Sequence, residues 1–213
     1  MLDAFTWFKQ SSLLWRGSPT VYIDPWGITD GQPPADLILL THAHFDHLSE
    51  VDLAKITTDG TVVVAPHDIA AQLTRGDVRA VRPGEKLEAA GLQIETVAAY
   101  NVKPDRLDFH PRDNNWVGYL VPLGAHRYYF AGDTDHTPEL DEVRADVAFV
   151  PIGGTYTMDV DEAAGAIKQI RPKLAVPYHF GFVVGTGGDG ERLVKAIAPI
   201  EGAVLSPMHP FEL

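Results

Sequence analysis

The chain has 213 residues, of which 45% are hydrophobic and 22% charged, so it is long enough for one substantial globular domain and short for two. Its formal net charge of −12 and its lack of a Lys/Arg stripe disfavour a nucleic-acid partner, because an acidic surface repels phosphates. The absence of cysteine and of any apolar stretch of about 20 residues excludes disulfides, thiolate ligands and a membrane-spanning helix. Since the N-terminus lacks the basic start and apolar region of a signal peptide, we expect one cytoplasmic domain over residues 1–213.

In chain order, the apolar runs and turn residues first predict strands. Four strands are predicted in the first third, at about 5–8, 12–15, 20–24 and 37–40. Ser49 with Asp52 resembles a capping box, so a short helix is expected just beyond it. A strand at 61–66 and a helix at 67–76, ended by Gly76, are predicted next. Further strands are expected near 78–82, 92–99, 116–122 and 127–131.

In the last third of the chain, predicted strands alternate with predicted helices. Strands are predicted at 146–152, 173–179 and 202–206, and helices at 159–170 and 188–198. Because strands are followed by helices twice over, we predict an α/β (α+β) fold with two sheets sandwiched between helical layers.

The stretch LLTHAHFDHLSE, at residues 39–50, places His42, His44, Asp46 and His47 directly behind an apolar run. In extended backbone, side chains two residues apart point the same way, so His42 and His44 can reach one ion. Asp46 and His47 lie past the turn and can serve a second ion. Imidazole and carboxylate donors suit Zn, Mn or Fe better than Ca or Mg. The alternative is a solvated histidine-rich loop, but four donors in six residues favour metal binding.

Three later stretches place a polar residue at the end of an apolar strand. His110 lies just before a predicted strand, and His179 follows LAVPY. Asp133 follows YYFAG, where Gly132 allows the backbone to turn tightly. Each alone would more often be a hydrogen-bonded surface residue. Together with the first cluster they form a coherent set of candidate ligands at four strand ends.

These residues carry a resemblance to a known family. THAHFDH, His110, GDTD and PYHFG are similar to the metallo-β-lactamase-fold hydrolases, and the motif H-x-H-x-D-H followed by His, Asp and His is highly specific. Within that superfamily, YN at residues 100–101, HPRDNNWVGY, AGDTD and PIGGTYTMDVDEAA look most like the metal-dependent hydrolases related to L-ascorbate-6-phosphate lactonase. The resemblance implies a four-layer αββα sandwich with the metals at one edge of the two sheets.

The resemblance also implies a binuclear metal site. It assigns His42, His44 and His110 to one ion, Asp46, His47 and His179 to the other, and Asp133 to a bridge between them. We expect two divalent ions, Zn²⁺ by preference with Mn²⁺ as the alternative. A water held between two such ions has a pKa near about 7, so we expect hydroxide to attack a small ester, lactone or phosphoester. Asp46, which could orient or deprotonate that water, and Asp133 are the expected catalytic residues.

Five further residues are candidates for substrate contact: Tyr100, Asn101, His136, Thr155 and Thr157. Structural alternatives exist for them, namely an ordinary turn at Asn101, a surface-loop histidine at 136 and a helix cap at Thr157. Asp24 is expected to support the metal loop, because metal-bound histidines usually need an orienting acceptor. One departure stands out: relatives usually have Gly-His in the first hairpin, where this chain has KQSS at residues 9–12.

Two function classes stay open. The first is a metal-dependent hydrolase acting on a small molecule, with a phosphodiesterase-like or nuclease-like relative as a variant that the acidic charge disfavours. The second is a metal-binding protein of the same fold that has lost turnover. The full ligand set favours the enzyme, because structural zinc sites are usually closed and four-coordinate. We expect neither a nucleic-acid nor a membrane partner, and leave homo-oligomerisation open.

Overall fold

The computed structural model describes all residues from Met1 to Leu213 and contains two β-sheets. The first sheet has six strands in sequence order: β1 (Phe5–Trp7), β2 (Leu13–Trp15), β3 (Val21–Ile23), β4 (Leu37–Leu39), β5 (Val62–Pro66) and β6 (Asp77–Val81). Strands β1 to β3 are antiparallel neighbours, whereas β3 to β6 run parallel.

The second sheet has seven strands in spatial order β13-β12-β11-β10-β9-β8-β7. These are β7 (Lys86–Ala89), β8 (Leu92–Ala98), β9 (Val117–Leu123), β10 (His126–Phe130), β11 (Val147–Pro151), β12 (Leu174–Tyr178) and β13 (Glu201–Gly202). Strands β7 to β10 are antiparallel, and β10 to β13 are parallel. Five helices complete the fold: α1 (Glu50–Ile56), α2 (His67–Ala70), α3 (Pro138–Asp141), α4 (Val160–Ile170) and α5 (Asp189–Ala196).

Alternation along the first sheet separates two apolar layers. Leu13 and Leu39 belong to the large core shared with the second sheet. Leu14 and Ile38, one residue away, belong to a smaller core that includes Leu53 of α1. Successive side chains of a strand point to opposite faces, so a sheet covered on both faces needs apolar residues at every position. This explains why LLW, VYI and LIL are unbroken apolar runs, and why helices cover the outer face.

Helices α4 and α5 cover the outer face of the second sheet, and buried residues of both helices join the large core. Helix α4 begins with a capping box, in which the Glu162 backbone N–H donates to the Asp159 carboxylate and the Asp159 N–H donates to Glu162. The resulting order of helix, sheet, sheet and helix confirms the predicted αββα sandwich.

Two sequence-based boundaries need correction, and two elements were missed. The helix predicted at 67–76 ends at Ala70, because residues 71–76, apart from Leu73, are exposed and offer no apolar face to bury. The strand predicted at 202–206 is only Glu201–Gly202, since the chain then crosses to β1, where the Met208 N–H donates to the Trp7 carbonyl. Strand β7 and helix α3 were not predicted. No helix is both long and apolar enough to cross a bilayer.

The parallel order places several strand ends at one edge of the sandwich. Strand β3 ends before Asp24, β4 ends before the histidine-rich loop, β10 ends shortly before Asp133, and β12 ends before His179. The carboxyl ends of parallel strands meet at the same edge of a sheet, where ligand sites of α/β proteins commonly form. The fold therefore collects most of the candidate ligands without a dedicated domain.

The aromatic contact between the sheets gives a test of the core. Phe149 in β11 is fully buried, with its ring centroid 5.2 Å from that of Phe5 and 5.1 Å from that of Phe130. We expect Phe149→Ala to lower the free energy of unfolding by about 3–5 kcal/mol, measured by urea denaturation. Val51→Ala, at a residue 72% exposed on α1, should change it by less than about 0.5 kcal/mol. Equal effects of the two substitutions would contradict this packing.

Candidate metal centre

The seven predicted ligands lie together at this edge of the sandwich. Their donor atoms form three groups, each with all donors within 4.8 Å of one another. The groups are His42, His44 and His110; Asp46, His47 and His179; and His42, His47 and Asp133. The first two are the two ligand triads expected from the sequence. The third connects them through Asp133.

The first triad is held by its loop geometry and by a strand start. Nε2 of His42 lies 3.1 Å from Nδ1 of His44, so the two rings present different nitrogens to the same point. His110 approaches from the segment before β9. Gly132, directly before Asp133, lets the chain after β10 lie close to this loop: its backbone is left-handed, with φ of +67°, and a Cβ there would lie 3.1 Å from Thr41 Cβ.

Asp133 lies between the two triads. Its Oδ2 is 3.3 Å from His110 Nε2, in the first triad, and 2.9 Å from His179 Nε2, in the second. Its Oδ1 is 3.3 Å from His47 Nε2. One carboxylate thus faces donors of both triads, which is the arrangement expected of a bridging ligand.

The residues present fit a divalent metal. His47 Nε2, His110 Nε2 and Asp133 Oδ1 are buried atoms with no hydrogen-bond partner. A buried polar atom without a partner costs about 1–3 kcal/mol, so three at one place require a compensating ligand. Imidazole nitrogen and carboxylate oxygen are donors for Zn²⁺ and comparable cations.

In two of the histidines, His47 and His110, a neighbouring acceptor fixes the outward-facing ring nitrogen. His47 Nδ1 lies 2.7 Å from Asp24 Oδ2, and His110 Nδ1 lies 2.8 Å from Asn101 Oδ1. Asp24 also accepts hydrogen bonds from the Thr41 backbone N–H and hydroxyl, at 2.8 and 2.7 Å. An acceptor at one ring nitrogen leaves the lone pair of the other free for a metal. The supporting role expected for Asp24 agrees with this geometry.

Nearby carboxylates raise the pKa values of the two histidines in the second triad. Burial alone would lower the pKa of His47 and of His179, but carboxylates outweigh it. Asp133 and Asp24 hold the pKa of His47 well above its ordinary value, and Asp133 raises the pKa of His179 to about 9. Burial would raise the pKa of Asp133, but His179 and His47 hold it well below its usual range. In the metal-free protein, protons therefore compensate the buried carboxylates at neutral pH.

A cavity of about 270 Å³ opens over the ligands. Four of the seven predicted ligands line it: His44, Asp46, Asp133 and His179. The remaining lining residues are Phe45, Phe109, Tyr156 and Val183. A larger cavity of about 490 Å³ contains none of the seven. The smaller cavity is the candidate substrate pocket because the convergent donors line it.

Trp116 closes the side of the first triad. Its ring centroid lies 5.0 Å from that of His42, 5.1 Å from that of His44 and 5.8 Å from that of His110. The indole N–H donates to Asp68 Oδ2 at 2.8 Å, which fixes the ring. Trp116 also lines the larger cavity, so one ring contacts the first triad and borders that cavity.

The five residues predicted to contact substrate are not brought together. Tyr100 lines the larger cavity and donates to Glu139 at 2.8 Å. The Asn101 carboxamide holds His110, His136 lies 2.6 Å from the Asp141 carboxylate, Thr155 is exposed and Thr157 is buried. None of the five lines the pocket over the ligands, and their contact with substrate stays a prediction.

Sequence reasoning missed a buried network behind the first triad. The Asn101 amide donates to Asp135 Oδ1 at 3.1 Å, and the Arg106 guanidinium lies 2.8 Å from the same oxygen. Arg106, only 4% exposed, also donates to Glu162 and to carbonyls of the 151–158 loop. Asp135 belongs to the GDTD motif, but nothing in the sequence indicates that Arg106 is its partner.

The chain is similar to known proteins over most of its length. A family model described as a beta-lactamase superfamily domain matches residues 4–179. A UPF0173 metal-dependent hydrolase from Anaeromyxobacter sp. (strain K) is 32% identical, over 96% of this chain and 85% of its own. One from Archaeoglobus fulgidus is 28% identical over 97% of both chains. A crystal structure from Parabacteroides distasonis, described provisionally as a metal-dependent hydrolase, matches with a TM-score of 0.84 and 30% identity, over 96% and 93% of the two chains.

The protonated state of the second triad predicts proton release on metal binding. Metal ligands must be deprotonated, and the pKa values of His47 and His179 are raised, so a bound ion has to displace these protons. Calorimetric titration with Zn²⁺ at pH 7, in two buffers of different ionisation enthalpy, should show release of about one to two protons. The apparent affinity should rise with pH up to about 9, the pKa of His179.

His136→Ala supplies the matched control, because His136 is outside the cluster and its removal should leave the proton count unchanged. Binding of Zn²⁺ without proton release and without pH dependence would contradict the charge assignment of the second triad.

Proposed function

The chain belongs to the metallo-β-lactamase superfamily and is a metal-dependent hydrolase, and on that premise we propose that it works with two divalent ions on a small ester, lactone or phosphoester. Zn²⁺ is the favoured ion and Mn²⁺ the alternative. The observation that carries the proposal is the position of Asp133 between two complete triads. If only one ion were bound, the donors of the other triad would have no cation to coordinate.

Neighbouring side chains orient histidines in both triads. In the first half, Asn101 orients His110 and Thr41 Oγ1 lies 3.0 Å from His42 Nδ1. In the second half, Asp24 orients His47. Because the supporting groups are already in place, little reorganisation is needed when the ions bind.

When bound, two divalent ions would lower the pKa of a shared water to about 7 and polarise the substrate oxygen. Asp46 is the carboxylate best placed to orient such a water, since it lines the pocket beside Asp133. Burial would raise its pKa, but His47 and His179 nearby lower the pKa of Asp46 to about 2. Asp46 is therefore ionised at neutral pH, and its carboxylate oxygen can accept a hydrogen bond that orients such a water.

Trp116 is buried against the three histidines of the first triad and keeps solvent from that side of them. Water exclusion strengthens every electrostatic interaction inside a site. The hydrolytic chemistry needs no redox partner, since it adds one water across the ester bond and gives an acid and an alcohol. The resemblance to the L-ascorbate-6-phosphate lactonase group supports a lactone among the candidate substrates.

Asp133 is the decisive residue for testing the two-ion proposal. We expect wild-type protein to contain about two ions per chain and Asp133→Ala to lose at least one of them, measured by elemental analysis. Hydrolysis of a panel of lactones, esters and phosphodiesters should fall by more than about 100-fold, the upper range seen for loss of a group that only supports a metal ligand. Asp141→Ala, which removes an exposed carboxylate, is the matched control.

Two outcomes would change the proposal. Unchanged metal content and rate in Asp133→Ala would refute the bridging assignment. Wild-type protein with two ions and no turnover across the whole panel would instead favour the metal-binding protein without catalysis.

A further inference from the structure

The pocket over the ligands has an apolar mouth formed by Phe45, Phe109, Tyr156 and Val183. Phe45 is 65% exposed at the tip of the loop between two predicted ligands, and Phe109 is 38% exposed directly before His110. Two exposed aromatic rings at the mouth of one pocket form an apolar patch, and such patches commonly mark ligand-binding grooves. The position of the two rings beside the ligand cluster indicates that the group covering them is part of the substrate.

The two sides of this mouth are each built from aromatic contacts. Phe45 packs edge-on against Trp26, with ring centroids 5.8 Å apart. Phe109 packs edge-on against Tyr156, with centroids 4.7 Å apart. Edge-to-face pairs are a favoured aromatic geometry, so each ring is held in place although its outer surface is exposed.

The pocket has no cation for a charged substituent. Neither lysine nor arginine lines it. Nearby Arg106 is bound by Asp135 and Glu162, and Lys9 is paired with Glu212 at 3.0 Å. Phosphate groups away from the reacting bond are usually held by Arg, Lys or a helix N-terminus. Away from the candidate ligands, a phosphorylated side group would face only Phe45, Phe109, Tyr156 and Val183.

Building on the proposed hydrolytic function, we propose that the substrate group beyond the reacting bond is uncharged and apolar. The substrate class is an alkyl-substituted or aryl-substituted lactone or ester, rather than a phosphorylated sugar lactone. Water adds across the acyl C–O bond, so a lactone gives a hydroxy acid and an ester gives an acid and an alcohol. The substituent stays between Phe45 and Phe109 while the carbonyl faces the ligand cluster.

A homologous series of γ-lactones on metal-loaded protein tests this class. The kcat/KM value should rise about fourfold for each added methylene until the substituent fills the pocket. A lactone with a phosphate at the end of the same chain should react more slowly than its uncharged counterpart. Phe45→Ala and Phe109→Ala should flatten the rise, whereas Leu107→Ala, exposed on the same loop as Phe109 but outside the pocket, should not.

A binding measurement separates this inference from the proposed function. Straight-chain carboxylates titrated into the metal-loaded protein should bind more tightly as the chain lengthens, whether or not any lactone is hydrolysed. Tighter binding without turnover would refute the hydrolytic proposal and support the apolar pocket. Affinity and kcat/KM that are independent of chain length, or a preference for the phosphorylated lactone, would overturn the inference.

A second, independent observation concerns Gln10, in the first-hairpin segment KQSS. Its side chain is fully buried, and its backbone is left-handed, with φ of 51°. The amide Nε2 donates to Asp46 Oδ2 at 3.2 Å and lies 3.0 Å from His179 Nε2. A non-glycine residue in this conformation is strained, and such strain is retained where the surroundings fix it.

We infer that Gln10 is a positioning residue for the second half of the metal centre, an inference that rests on the two-ion proposal. Its amide holds the Asp46 carboxylate and limits the movement of the His179 ring. Its backbone carbonyl accepts from the Trp7 indole N–H at 2.8 Å and from the His179 N–H at 3.0 Å, so the hairpin and the ligand are fixed together. The side chain therefore contacts two candidate ligands, whereas the backbone carbonyl holds the hairpin to the segment of His179.

Gln10→Gly separates these two contributions, because glycine keeps the carbonyl and relieves the left-handed strain. Calorimetric titration should show the affinity for the second ion reduced by about 10–100-fold, with the first ion unchanged. The melting curve of the metal-free variant should show that it stays folded at the temperature of the titration. Gln10→His, which restores an N–H donor, should recover most of the affinity.

Asn101→Ala is the reciprocal control, since it supports His110 and should weaken the first ion instead. Unchanged affinities in Gln10→Gly, or equal losses for both ions, would overturn the inference. If wild-type protein binds only one ion, the two-ion proposal fails. In that case, a lower affinity for the ion in Asn101→Ala but not in Gln10→Gly would also refute the role of Gln10. A lower affinity in Gln10→Gly would support it.

Discussion

The buried carboxylate of Asp24 is the constraint on which the rest of the site depends. It lies at the end of β3, where a left-handed backbone with φ of 43° turns the chain. Its two oxygens accept hydrogen bonds from Thr41 and His47, and its own N–H donates to the Leu39 carbonyl. A fully buried charge is stable only when such partners surround it. Two parallel strands, the ligand loop and one imidazole are thereby positioned as a unit.

The same principle extends across the centre. Three carboxylates, those of Asp24, Asp46 and Asp133, are buried beside five imidazoles, so the cluster needs positive charge in every state. Protons on His47 and His179 supply it in the metal-free protein. Divalent ions bound at the candidate ligands would displace these protons and supply the charge in their place.

The order of elements and the seven candidate ligands followed from strand ends and motif spacing, because both depend on local sequence and on the geometry of parallel strands. The side chains that support these residues, Gln10 and Asn101, could not be predicted in this way. Gln10 lies 36 residues from Asp46 and 169 from His179, and a lone glutamine carries no signal of such a contact. Asn101 was singled out for substrate, but its side chain faces His110, which only the path of the loop decides. Strand β7 was missed because half of its residues are exposed and its apolar pattern is short.

Trp116 gives the first half of the centre a property beyond packing. Its indole touches three of the histidines that would hold an ion, and the Asp68 contact keeps it from moving away. Indole emission responds to the charge of groups in van der Waals contact with the ring. The chain has four tryptophans, so the part of a fluorescence change that reports filling of the first triad is the part that Trp116→Phe removes.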